Sequence, residues 1–198
     1  MARLSERRRL GKFLKRNVQR ARAERRLQHG HHSRWWHQGR QRLFRTKSEW
    51  GPGEWQDEPD RLEWRHASGL PCLVVRGPLG ALCGYVGVPP EHPLYMRDYD
   101  DCDVRAHGGL TYSDHCQGKI CHKPGPGEER DIWWLGFDCG HYRDITPSTR
   151  ALLAKVDPFG IARRELLTYG DGETYRTIGY VRAEVERLAE QVAAAGRA

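Results

Sequence analysis

Toward the C-terminus, Val181, Val185, Leu188 and Val192 recur at steps of four, three and four. One stripe of a helix would carry all four, so the spacing predicts a helix over about 177–195. Upstream the apolar runs are shorter and denser. Cys72 to Arg76 and Ala81 to Val88 predict two β-strands flanking the Gly77-Pro78-Leu79-Gly80 turn. Gly84 and Gly87 inside the second run point to a bulge or a close backbone approach. Val104 to Ser113 reads as a third strand broken by Gly108-Gly109, and Asp131 to Asp138 as a fourth, with Ile132, Trp133, Trp134, Leu135 and Phe137 nearly continuous. Thr146-Pro147 opens a second helix through Lys155, with Thr146 as N-cap and proline at the first helical position. Residues 91–103 and the Gly/Pro-rich 114–130 stretch connect these elements. The expected class is α+β, a small, mainly antiparallel sheet backed by a C-terminal amphipathic helix.

Charge divides the chain into two unlike parts. Residues 1–47 hold sixteen Lys/Arg and two Glu, a net +14, whereas the remainder holds 17 basic and 24 acidic side chains, a net −7. Within this basic arm Leu10, Leu14, Val18 and Ala21 keep helical spacing, with Ser5 as N-cap, and Trp35, Trp36 and Phe44 interleave the cations that follow. Cations with aromatics suit phosphate contacts and base stacking, so nucleic acid or another polyanion is the expected partner of residues 1–47. An anionic membrane surface or a solvated tail would use the same composition. Residues 48–69, with Pro52 and Pro59 and no sustained period, read as a linker, leaving 70–198 as the α+β domain. No run is long and apolar enough for a transmembrane segment, and no apolar signal core follows the N-terminal charges. A cytoplasmic setting is expected, in which the six cysteines stay reduced.

The densest chemistry runs from Asp98 to Asp144. Carboxylates, imidazoles and thiols set among apolar residues are costly to bury unless they pair or bind a metal. Three readings compete. Asp98, Asp100, Asp101 and Asp103, with His107, Asp138 and His141, could hold Mg²⁺, Mn²⁺ or zinc for phosphoester hydrolysis, His107, Asp138 and His141 being the catalytic candidates. The Gly108-Gly109 turn would let backbone approach a phosphate. In a second reading Tyr112, Trp133, Trp134 and Phe137 stack a ring while His107, Arg105 and Arg143 hold phosphates, giving a binding pocket without catalysis. The third places a structural zinc on Cys116, Cys121, Cys139 and His141, although the spacing departs from paired C-x2–4-C knuckles. Cys139 is also a possible nucleophile with His141 as its base.

The blocks HGGLTYS (107–113) and WWLGFDCGH (133–141), with the preceding GLPCLVVRGPLGALCGYVGVPPEHPLYMRDYDDCDVRA, ICHKPGPGE (120–128) and YVRAEVERLAEQV (180–192), resemble a family of short hypothetical proteins of phages, prophages and actinobacterial genomes. The resemblance covers roughly residues 69–195 and leaves out the basic arm. It implies an accessory role in a phage or mobile-element setting, such as host takeover or counter-defence, and no particular reaction. The functional expectation is action on a phosphorylated small molecule or nucleotide through metal-assisted hydrolysis. The alternative is non-catalytic sequestering of a nucleotide or association with nucleic acid.

Overall fold

The computed structural model describes residues 46–156 and 174–197. The helix expected in the basic arm and its Trp35, Trp36 and Phe44 stretch lie outside these residues. In chain order the elements are β1 (Arg61–Arg65), β2 (Pro71–Arg76), β3 (Leu82–Val88), β4 (Tyr112–His115), β5 (Trp133–Asp138), α1 (Pro147–Val156) and α2 (Ile178–Ala195). The five strands form one sheet in the order β1-β2-β3-β5-β4, with every neighbouring pair antiparallel. The architecture is α+β, as the hydrophobic pattern implies.

Both faces of the central strands are covered, which is why β2, β3 and β5 read as continuous apolar runs rather than as alternations. On one face Cys72, Val74, Leu82, Val86, Leu135 and Phe137 meet the α2 stripe of Val181, Val185, Leu188 and Val192. Each such residue contributes about 1.5–3 kcal/mol by leaving water. Gly84 is the close approach that the sequence signalled: a Cβ there would lie 2.5 Å from Val185 Cγ2 and 2.6 Å from Phe137 Cζ. On the opposite face Leu73, Val75, Tyr85 and Trp134 are covered by Ile132 and by Cys116 and Ile120 of the 114–130 excursion. Helix α2 starts at Thr177, whose hydroxyl accepts the Tyr180 N–H, and its first amide, Ile178 N, donates to Glu58 at 2.7 Å.

Two expectations change. The 48–69 stretch read as a linker holds strand β1 and two 3-10 turns, and its Trp50 and Trp55 are buried with Ile145 and Tyr175. RLEWR alternates with period two over only five residues, and the burial of Trp50 and Trp55 at the two 3-10 turns follows no period. The strand expected over 104–113 is shortened to Tyr112–His115. Gly108 and Gly109 take φ of +66° and +91°, which no strand accommodates. The backbone of Arg105 instead pairs with the Gln191 side chain of α2, accepting at its carbonyl and donating from its N–H, at 2.9 and 2.8 Å. No helix among the described residues is long and apolar enough to cross a membrane.

Candidate functional site

Strand β5 ends at Asp138, and the chain then makes a tight turn, His141 to Asp144, closed by Asp144 N–H donating to His141 O at 3.0 Å. A parallel bridge between Asp144 and Thr174 anchors the far side of this turn. His107 arrives from the segment held along α2 by Gln191, immediately before the Gly108-Gly109 turn. Gly108 lies against the His141 ring: an added Cβ would be 2.4 Å from His141 Cε1. Glycine is therefore required there twice over, by its positive φ and by this contact.

The Asp144 side chain is 1% exposed and organises the site. Its Oδ2 lies 2.7 Å from His107 Nε2, accepts the His141 backbone N–H at 3.1 Å, and stands 3.8 Å from His141 Nδ1. Its Oδ1 accepts from Arg176 Nε at 2.7 Å. Burial by itself pushes this carboxyl up, but the hydrogen bonds from His107 and Arg176 outweigh it and hold Asp144 below the ordinary carboxylate range. The same hydrogen bond to Asp144 raises Arg176, whose guanidinium also covers the Tyr180 ring at 4.9 Å. Tyr180 Oη is 2.9 Å from His107 Nδ1, and burial pushes this phenol above its ordinary range. His107 therefore has a partner on each nitrogen. His141 does not: its Nδ1 is a buried atom with no hydrogen-bond partner, and its closest carboxylate oxygens are Asp144 Oδ2 and, at 3.9 Å, Asp138 Oδ1. Asp138 is held at the rim by hydrogen bonds from Gly140 N–H and the Thr111 hydroxyl, at 2.9 and 3.0 Å.

One ligand atom from each of His107, His141 and Asp144 lies within 4.8 Å of the other two, and no other group of three or more His, Cys, Asp or Glu converges this way among the described residues. Two imidazoles and one carboxylate match the three-ligand sets that leave a position open for water or substrate. They suit Zn²⁺ or another transition metal better than Mg²⁺, which prefers oxygen ligands. Tyr180 behind His107 and Arg176 behind Asp144 are the outer partners that fix ligand orientation.

Of the residues singled out in the sequence, His107, His141 and Asp138 meet here. The acidic run does not join them. Asp98, Asp100 and Asp101 lie on a 3-10 turn near the opposite end of β5, where Arg97 O accepts from Trp133 Nε1. Asp103 is exposed, as are Asp100 and Asp101. The four-residue zinc set also dissolves. Cys116 and Cys121 are joined in a disulfide, against the expectation that all six cysteines stay reduced, and Cys139 is buried in the core beneath α2, where burial pushes its thiol far up and leaves it a poor nucleophile. A two-residue hairpin explains the pairing. Gln117 and Ile120 exchange both backbone hydrogen bonds around Gly118, whose φ of +54° suits the first turn position, so the flanking cysteines face each other with Cα atoms 4.6 Å apart.

Trp133 and Trp134 are both core residues rather than stacking walls. Trp133 is five strand residues from Asp138, roughly 17 Å, and Trp134 and Tyr112 face the side away from α2. Arg105 and Arg143 are exposed, and Gly109 closes its turn by donating to Ala106 O. Asp144, Arg176 and Tyr180 are site residues that the sequence reading missed. No protein-family model, curated protein or solved structure matches the chain.

Proposed function

We propose that this protein is a metal-assisted phosphoesterase for a phosphorylated small molecule, with a divalent transition metal such as Zn²⁺ or Mn²⁺ held by His107, His141 and Asp144. The observation that carries the reading is the convergence of one ligand atom from each of these three residues, together with a buried His141 Nδ1 that has no hydrogen-bond partner. A metal in that position supplies a Lewis acid for a phosphoryl oxygen and an acidified water as nucleophile. The chain's own residues do the rest. Tyr180 and Arg176 fix His107 and Asp144, and the Asp138 carboxylate at the rim accepts the proton of the attacking water. As the water oxygen bonds to phosphorus the ester P–O bond breaks, and the proton passes to the departing alkoxide. In the accessory, phage-type setting that the family resemblance implies, the basic arm would hold this activity close to nucleic acid.

A specific observation favours a second reading. Both nitrogens of His107 are already hydrogen-bonded, so the network is braced without a metal, as in a binding protein that captures a phosphorylated ligand without cleaving it. Phosphate release from phosphomonoesters by the full chain, with added Zn²⁺ or Mn²⁺, separates the two. Hydrolysis requires turnover that a chelator and His141→Ala each abolish. Saturable ligand binding without phosphate release would replace the enzyme by the sequestering protein.

A further inference from the structure

The turn that supplies two of the three ligands also presents two side chains to solvent. His141 and Asp144 point inward, while Tyr142 and Arg143 form the outer corner. Met96 and Tyr142 are the exposed large apolar side chains among the described residues, and Tyr142 is the more open at 88%. A single exposed tyrosine means little by itself. Its neighbour makes the difference. Arg143 has φ +78°, a conformation that the third position of a type II turn ordinarily gives to Gly or Asn. Only Met96 and Arg143 among the described non-glycine residues take positive φ, and a side chain there is disfavoured. Arg143 Cζ lies 5.9 Å from the Tyr142 ring centroid, and its guanidinium makes no ion pair with a described residue. Arg176, the other cation at the site, is committed to Asp144. Beside the committed Arg176, the turn thus carries an arginine with no ion pair to a described residue, lying over one face of a largely exposed aromatic ring whose other face is open to a ligand.

Resting on the phosphoesterase reading above, we propose that this turn selects nucleoside monophosphates: Tyr142 stacks on the base and Arg143 takes a phosphate oxygen. An aromatic ring gives the planar base a sequence-tolerant platform, and a guanidinium gives phosphate a forked donor. A sugar phosphate offers only the second of these handles.

The test is equilibrium binding of adenosine 5′-monophosphate and of ribose 5-phosphate, each as its non-hydrolysable methylenephosphonate analogue, to the full chain with Mn²⁺, by calorimetry. Stacking of one base should make the nucleotide roughly 5- to 150-fold tighter. Tyr142→Ala should remove this preference while leaving ribose 5-phosphate affinity unchanged, and Tyr142→Phe should keep it. Arg143→Gly, which relaxes the backbone instead of straining it, should weaken both ligands. Equal affinity for the two ligands in the wild type, a preference that survives Tyr142→Ala, or no binding of either ligand would overturn the proposal. Failure of the underlying reading looks different: Mn²⁺ would then bind equally well to wild type and His141→Ala, whichever ligand is preferred.

Discussion

Two buried polar networks flank the start of α2, and they are built to different ends. In the first, Arg76 donates to Asp60, Gly80 O, Tyr175 and Glu58, while Tyr175 donates to Glu58, which also accepts the first amide of α2. The Arg76 side chain is 2% exposed, and the network locks the 46–60 segment against the sheet and the helix start. In the second, Asp144 is as deeply buried and as well bonded, yet the adjoining His141 Nδ1 makes no hydrogen bond, with carboxylate oxygens of Asp144 and Asp138 only at 3.8 and 3.9 Å, and Asp138 stays at the rim. A structural network spends its polar groups on one another. Here the site keeps one without a hydrogen bond next to two other potential ligands, and that coincidence is what marks it. Tyr112 Oη, His122 Nδ1 and Trp134 Nε1 are also buried without a hydrogen-bond partner but have no such cluster around them.

The contrast can be broken from either side. Arg76→Ala has the largest expected effect, because it strands Glu58 without its buried partner. Unfolding by denaturant should show a loss of about 3–5 kcal/mol. His141→Ala should leave stability far less affected while removing metal affinity. Gly108→Ala probes the second network through a positive φ and one contact. The new Cβ must displace the His141 ring, and metal affinity measured by titration should fall about 10–100-fold, as for loss of an outer-shell support. Replacing Cys116 and Cys121 by serine touches neither network. Its short loop should cost about 2 kcal/mol on the chain-entropy view, read by thermal unfolding, with metal affinity unchanged.

The smallest effect concerns pH. Burial raises the Asp60 carboxyl, but hydrogen bonds from Arg76 and Lys47 outweigh it and hold Asp60 below its ordinary 3.8. The unfolded chain therefore binds its proton first on acidification. The contribution of Asp60 is fully present above pH 3.8 and fades as pH falls through the lower folded value. The difference in Tm between wild type and Asp60→Asn should shrink over that interval. Solvent screening of this exposed side chain keeps the difference small.

Much of the frame was legible because burial imposes a period. The α2 stripe and the apolar runs of β2, β3 and β5 are direct records of which faces are covered. Strand β1 left a signal that is easily passed over: RLEWR alternates charged and apolar positions as an edge strand does, but only Leu62 and Trp64 mark it. His107 and His141 stood out by residue type, but nothing local marks Asp144, Arg176 or Tyr180 as their partners. Their meeting depends on the Asp144–Thr174 bridge and on where α2 begins, both tertiary facts. The acidic run at 98–103 misled for the opposite reason. Exposed carboxylates cluster at no cost in water, so their density carries little information. The Cys116–Cys121 pairing had a readable signal in the Gly118-Lys119 turn between them, which points to a hairpin and brings the flanking residues together.

The most direct test is Co²⁺ titration of the chelator-treated full chain, read by visible absorption, for wild type and for His141→Ala checked for native unfolding. A metal centre at His107, His141 and Asp144 gives one saturable equivalent in the wild type and none in the variant. A folded wild type that takes up no cobalt, or a variant that binds it equally well, would contradict that assignment.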